Sequence, residues 1–232
     1  MFPKDAVKMA NYVGALAHDK MSITHHNLDG NLINFDRQIS MSLAYGIHLI
    51  VAGGSHNAPR FKEEDLDSIY WIDAIQKNIA YHYIGAEMKR FKHEWVNEKS
   101  CDGDSIISSR YSDVKVYANA SSKSRTYKRF TVAPDSFIAE APNAIAGGVL
   151  AIGEETVKTP SMFVVKYENN NKISVFAYGN GGNDFIFPLD RKIEKLTYNG
   201  KELNFSQNNG VVRIKLPESD KKHRTFYIFD VR

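Results

Sequence analysis

The chain has 232 residues, with 30 Lys and Arg against 27 Asp and Glu, for a formal charge of +3. That near balance excludes an acidic tail and a highly basic nucleic-acid coat, while 43% hydrophobic and 12% aromatic residues suit a packed globular protein. The single cysteine, Cys101, excludes an intrachain disulfide and a multi-thiolate metal site.

No run approaches the roughly 18 apolar residues that a membrane-spanning helix needs. Met1-Phe2-Pro3-Lys4-Asp5 has no basic segment followed by an apolar run, so no signal peptide is expected and the compartment stays open. Lys4 to Lys20 sets Val7, Ala10, Val13 and Ala17 at helical spacing. Met21 to His25 has extended character and leads into the turn-rich Asn27-Leu28-Asp29-Gly30-Asn31. Asn34 to Tyr45 reads as a helix carrying Ile39 and Leu43, with Gly46 as its stop. Ile47 to Ala52 is a β-branched apolar run ending in Gly53-Gly54, the pattern of a buried parallel strand. From Glu63 to about Asn97, Leu66, Ile69, Ile72, Ile75, Ile79, Tyr83 and Ala86 share one face, predicting one long helix or two joined ones. Strands joined through a crossover helix imply parallel pairing and an α/β layer. Two strands cannot close a barrel of about 250 residues, so the expectation is a truncated α/β unit.

The pattern changes near residue 100. Val114, Val116 and Ala118 alternate with Lys115, Tyr117 and Asn119, and short strands follow to the end. Met162 to Tyr167 and Lys172 to Tyr178 flank the hairpin turn Glu168-Asn169-Asn170-Asn171. Asn199-Gly200 and Asn209-Gly210 supply the positive φ values of type I′ turns. Gly147-Gly148 is expected to break an apolar run, Gly153 to Pro160 to be a polar linker, and Gly179 to Asn183 to be a hairpin turn. Nine or so short strands at this turn spacing suggest an antiparallel sandwich.

The densest polar cluster is Thr24-His25-His26-Asn27-Leu28-Asp29, directly after a predicted strand. Strand C-terminal ends line the ligand site in parallel α/β folds. If the two predicted strands are neighbours, His25, His26, Asn27, Asp29, His56 and Asn57 converge at one rim. Imidazoles, amides and a carboxylate suit a polyhydroxylated ligand, whose hydroxyls donate and accept. A metal site built on His25, His26, Asp29 and His56, and a polar loop that merely caps backbone groups, stand as alternatives. His48 reads as a core histidine. No catalytic carboxylate pair is visible: Glu63, Glu64, Asp65 and Asp67 suit a helix start, and Glu154-Glu155 falls in the expected linker. Cys101 lacks an activating partner. Ser122 to Arg125 and Lys128-Arg129, near Tyr127, read as a solvated hairpin tip. Trp71 and Trp95 sit in predicted helix and read as core or interface. No cofactor motif is present.

Two stretches resemble the C-terminal part of bacterial glycoside hydrolases with a TIM barrel and β-sandwich appendages. Ser42-Leu43-Ala44-Tyr45-Gly46-Ile47-His48-Leu49-Ile50 is similar to their last barrel helix-to-strand segment. Ser109 to Asn119 and Val132 to Ala141 look like the strand pair after the barrel in relatives of α-galactosidases and endo-α-N-acetylgalactosaminidases. The resemblance covers about the first 150 residues of the sequence and implies a partial (β/α) barrel end at 1–100. A β-strand region at 101–155 and a β-sandwich region at 156–232 would follow. It also implies a carbohydrate-active hydrolase fragment without its catalytic carboxylates, those acids lying on upstream strands that this sequence does not contain. The rival expectation is a non-enzymatic carbohydrate-binding or interaction module. Expected partners are an oligosaccharide or glycan and either the remaining barrel segment or a second copy, with no nucleic acid and no membrane.

Overall fold

A computed structural model describes residues 24–25, 35–49, 63–83, 86–97, 104–168 and 172–232. Among the described residues the fold is β-rich with two helices. Strand β1 (Thr24–His25) pairs in parallel with β2 (His48–Leu49), and helix α1 (Phe35–Ala44) connects them. Helix α2 (Glu63–Asn78) follows, then a 3-10 turn, Ala80–Tyr83. The stop predicted at Gly46 is correct. Gly46 takes φ +67, and the Ile47 and Gly46 N–H groups donate to Ser42 O and Leu43 O at 2.8 and 3.2 Å, a glycine-based C-cap.

The predicted helical stretch to Asn97 is corrected by the structure. Residues 88–97 form strand β3 (Met88–Asn97), the edge of the large sheet. Here Phe91, His93 and Trp95 turn half-buried toward the core while Lys92, Glu94 and Val96 are exposed. A period of two has replaced the helical period that ends at Tyr83. Trp95 is therefore a strand residue.

The large sheet continues through β4 (Asp104–Tyr111), β5 (Val114–Ala120), β6 (Arg125–Tyr127), β7 (Phe130–Val132), β8 (Ser136–Ala141), β9 (Ala144–Ile152), β10 (Glu155–Tyr167) and β11 (Ile173–Gly179). The remaining strands are β12 (Asp184–Pro188), β13 (Leu196–Tyr198), β14 (Lys201–Glu202), β15 (Phe205–Asn208), β16 (Val211–Lys215) and β17 (Thr225–Val231). The main path runs β14-β13-β17-β11-β10-β9-β8-β5-β4-β3, with the β6–β7 hairpin attached along β9. A second sheet, β12-β16-β15, packs on one face, and every pairing in both sheets is antiparallel among the described residues.

Turn chemistry fixes these registers. Asn199-Gly200 and Asn209-Gly210 adopt positive φ throughout (49 and 76°, 47 and 72°), as type I′ hairpins demand. Three expectations fail. Gly153, at φ +59, is the turn of the tight β9–β10 hairpin, so residues 155–160 extend a strand and form no linker. Gly179 to Asn183 crosses from β11 into the second sheet and closes no hairpin. Gly147-Gly148 lies unbroken within β9, because a side chain there would meet its neighbours: a Cβ at Gly147 would sit 2.6 Å from Phe137 O.

Two cores follow from the two faces. One joins Phe185, Phe187, Val212 and Ile214 of the small sheet to Phe163, Val165, Val175 and Phe229 of the large one. The other joins the helices to the opposite face, with Ile39, Leu43, Trp71, Ile75 and Tyr83 against Ile107, Val116, Phe137 and Val164. Trp71 is fully buried and stacks on Tyr178 with centroids 5.8 Å apart; removing such a side chain costs about 3–5 kcal/mol. No helix among the described residues is long and apolar enough to cross a membrane.

Candidate functional site

The rim read from the sequence is only partly within reach. His25 ends β1 opposite Leu49, and His48 stands opposite Thr24. The two strands are hydrogen-bonded neighbours, the condition on which convergence depended. His26, Asn27, Asp29, His56 and Asn57 lie outside the described residues, as does Cys101.

The joint between helices and sheet gathers many of the charged groups. Ala44 O, left open at the end of α1, accepts from Tyr111 Oη at 2.6 Å and from Ser109 Oγ at 2.5 Å. Arg224 Nη1 donates to both Asp36 oxygens at 2.9 and 2.7 Å. Asp67, read from sequence as a helix-start acid, is instead buried in the second turn of α2. It accepts from Lys221 Nζ at 2.7 Å and the Phe226 N–H at 3.0 Å, with His223 Nε2 at 3.1 Å. These acids dock helices, a structural task.

A groove of about 450 Å³ lies on the face of β3, β4 and β5 turned away from the helices. The small sheet packs chiefly over β10 and β9. Cross-strand partners share a face, so register alone defines its floor. Arg90 stands opposite Arg110, and Arg110 opposite Lys115. One step along, Lys92 stands opposite Ser108 and Ser108 opposite Tyr117. Tyr127, from the β6–β7 hairpin, forms a wall and stacks on Tyr117 at 4.5 Å and 17°.

The charge on this floor is poorly compensated. Lys92 pairs with Glu94 at 3.5 Å, and Arg110 Nε donates to Ser112 O at 3.0 Å. Among the described residues Arg90 and Lys115 have no ion-pair partner. The carboxylate opposite Lys115 in register, Glu140, is held instead by Lys128 at 2.5 and 2.7 Å. Burial pushes the Tyr117 and Tyr127 phenols above their usual range, so both are neutral hydroxyls at ordinary pH.

Sequence reading missed this groove for two reasons. Arg90 and Lys92 were assigned to a helix, and Arg110 and Lys115 are adjacent only once the β4–β5 register is known. The alternation at 114–118 was the one available signal.

Elsewhere, Asp135 sits at φ +54 with Oδ1 buried and unbonded, 3.7 Å from Arg37 Nη1. Burial first, then Asp104 and Asp36, raise its pKa against the pull of Arg37. Among the described residues no group of His, Cys, Asp and Glu side chains is placed to hold a metal ion. Comparison of the chain with family models gave no match, and neither did comparison with curated proteins.

Proposed function

We propose that the chain is the C-terminal portion of a carbohydrate-active hydrolase, contributing the end of a (β/α) barrel and a carbohydrate-binding β appendage. The observation that carries this reading is the β1–α1–β2 unit followed by α2. Its strands are parallel neighbours, and both helices lie against the large sheet. Strand–helix alternation with parallel neighbours is the repeating unit of such a barrel. Helices that share a core with a following β region are what a joint between the two would need. His25, His26, Asn27, Asp29, His56 and Asn57 are then rim contacts to substrate, and the reacting acids belong to strands upstream.

A second reading, a non-enzymatic carbohydrate-binding module, is favoured by the open groove on β3, β4 and β5, which lies on the face away from the helices. Both readings share a saccharide ligand and differ in the task of the rim. The test is an aryl-glycoside assay beside calorimetric titration with a glycan panel. Binding without turnover is expected. Binding weakened by His25→Ala and His26→Ala favours the hydrolase portion, whereas binding indifferent to both favours the module. Turnover abolished by Asp29→Asn would overturn the absent-acid claim, and no binding across the panel would overturn both.

A further inference from the structure

We propose that the groove across β3, β4 and β5 binds an acidic oligosaccharide, with Arg90, Arg110 and Lys115 holding its carboxylate or sulfate groups. The inference rests on the carbohydrate-binding reading and names the class of saccharide. Its basis is the row Arg90–Arg110–Lys115, three cations directly opposite one another on adjacent strands. Like charges in that relation destabilise a sheet, and all three side chains are exposed. Nothing in the fold uses Arg90 or Lys115, and Glu140, the nearest compensating acid by register, is engaged by Lys128.

The rest of the floor matches a sugar. Ser108, half-buried between Lys92 and Tyr117 in register, has a hydroxyl without a partner among the described residues. It can donate to and accept from a ring hydroxyl. Tyr127, held rigid by its stack on Tyr117, lines one side of the groove. Two guanidinium forks and one ammonium suit planar carboxylate and tetrahedral sulfate oxygens. A nucleic acid would need successive faces for base stacking. Here Tyr117 covers one face of Tyr127, and the Lys128 ammonium stands 5.3 Å from the ring centroid.

The test titrates the full chain with a dextran sulfate oligosaccharide, its neutral dextran parent, inorganic polyphosphate and a single-stranded oligonucleotide. The sulfated saccharide is expected to bind at least about tenfold more tightly than the parent, with affinity falling as salt is raised. Arg110→Gln with Lys115→Gln is expected to weaken it by about tenfold or more, with a thermal melt no lower than that of the parent chain. Ser108→Ala and Tyr127→Ala are expected to weaken the saccharide and leave polyphosphate unaffected.

Equal binding of the neutral parent, indifferent to the double variant, would overturn the acidic assignment while leaving the carbohydrate reading standing. Polyphosphate or oligonucleotide bound as tightly as the sulfated saccharide would overturn the saccharide class. No binding of any probe would overturn both readings.

Discussion

The Asp67 carboxylate accepts the backbone N–H of Phe226 at 3.0 Å across 159 residues of chain. This bond ties the second turn of α2 to the last strand, and Lys221 and His223 close around the same carboxylate. Asp67→Ala leaves a strand N–H, the Lys221 ammonium and the His223 ring without their shared partner. It is expected to cost about 2–3 kcal/mol in urea unfolding. Lys221→Ala, at a partly exposed partner, is expected to cost under about 1 kcal/mol.

The same site sets an acid limit. Burial alone would raise the Asp67 pKa, but bonds from Lys221, Phe226 and His223 outweigh it and hold the group below its ordinary 3.8. A carboxylate lowered in the folded state contributes stability that is fully present above the ordinary value and lost as pH falls through the folded one. Stability is therefore expected to drop below pH 3.8, and Asp67→Asn to flatten that drop in a series of unfolding curves.

Asp135 acts in the opposite sense. Its raised pKa means the folded state binds its proton more readily than the unfolded chain, so its charge costs stability at neutral pH and the cost fades on acidification. Asparagine tolerates the left-handed backbone at this position. Asp135→Asn is expected to raise the midpoint of thermal unfolding at pH 7 and to make little difference at acid pH.

Gly147 lies in the middle of β9 with Ile138 Cδ1 and Phe137 O at 2.5 and 2.6 Å from the position of an added Cβ. Gly147→Ala must displace backbone of the neighbouring β8. A loss of about 1–3 kcal/mol is expected. Gly200→Ala meets no atom and strains only the turn at φ +76. Comparing the two melts separates packing from backbone strain.

These relationships mark what the sequence made legible. Asn199-Gly200, Asn209-Gly210 and Gly46 act locally, through backbone φ alone, and each was readable from its own neighbours. Val114, Val116 and Ala118 are buried as their alternation implies, but of the residues between them only Lys115 is exposed, since Tyr117 and Asn119 are buried on the other face. Met88–Asn97 was misread because the helical spacing that ends at Tyr83 runs on by coincidence to Ala86. Asp67 and the row Arg90–Arg110–Lys115 were not legible, since their roles exist only after distant segments are brought together. The expected rim followed from local residue types, and five of its six members lie beyond what the structure describes.

Mapping amide chemical shifts of the chain during addition of the dextran sulfate oligosaccharide tests the binding claim most directly. Saturable shifts confined to the outer face of β3, β4 and β5, centred on Arg90, Ser108, Arg110 and Lys115, are the expected result. Shifts centred on β12, β15 and β16, or none beyond those produced by equivalent simple salt, would contradict it.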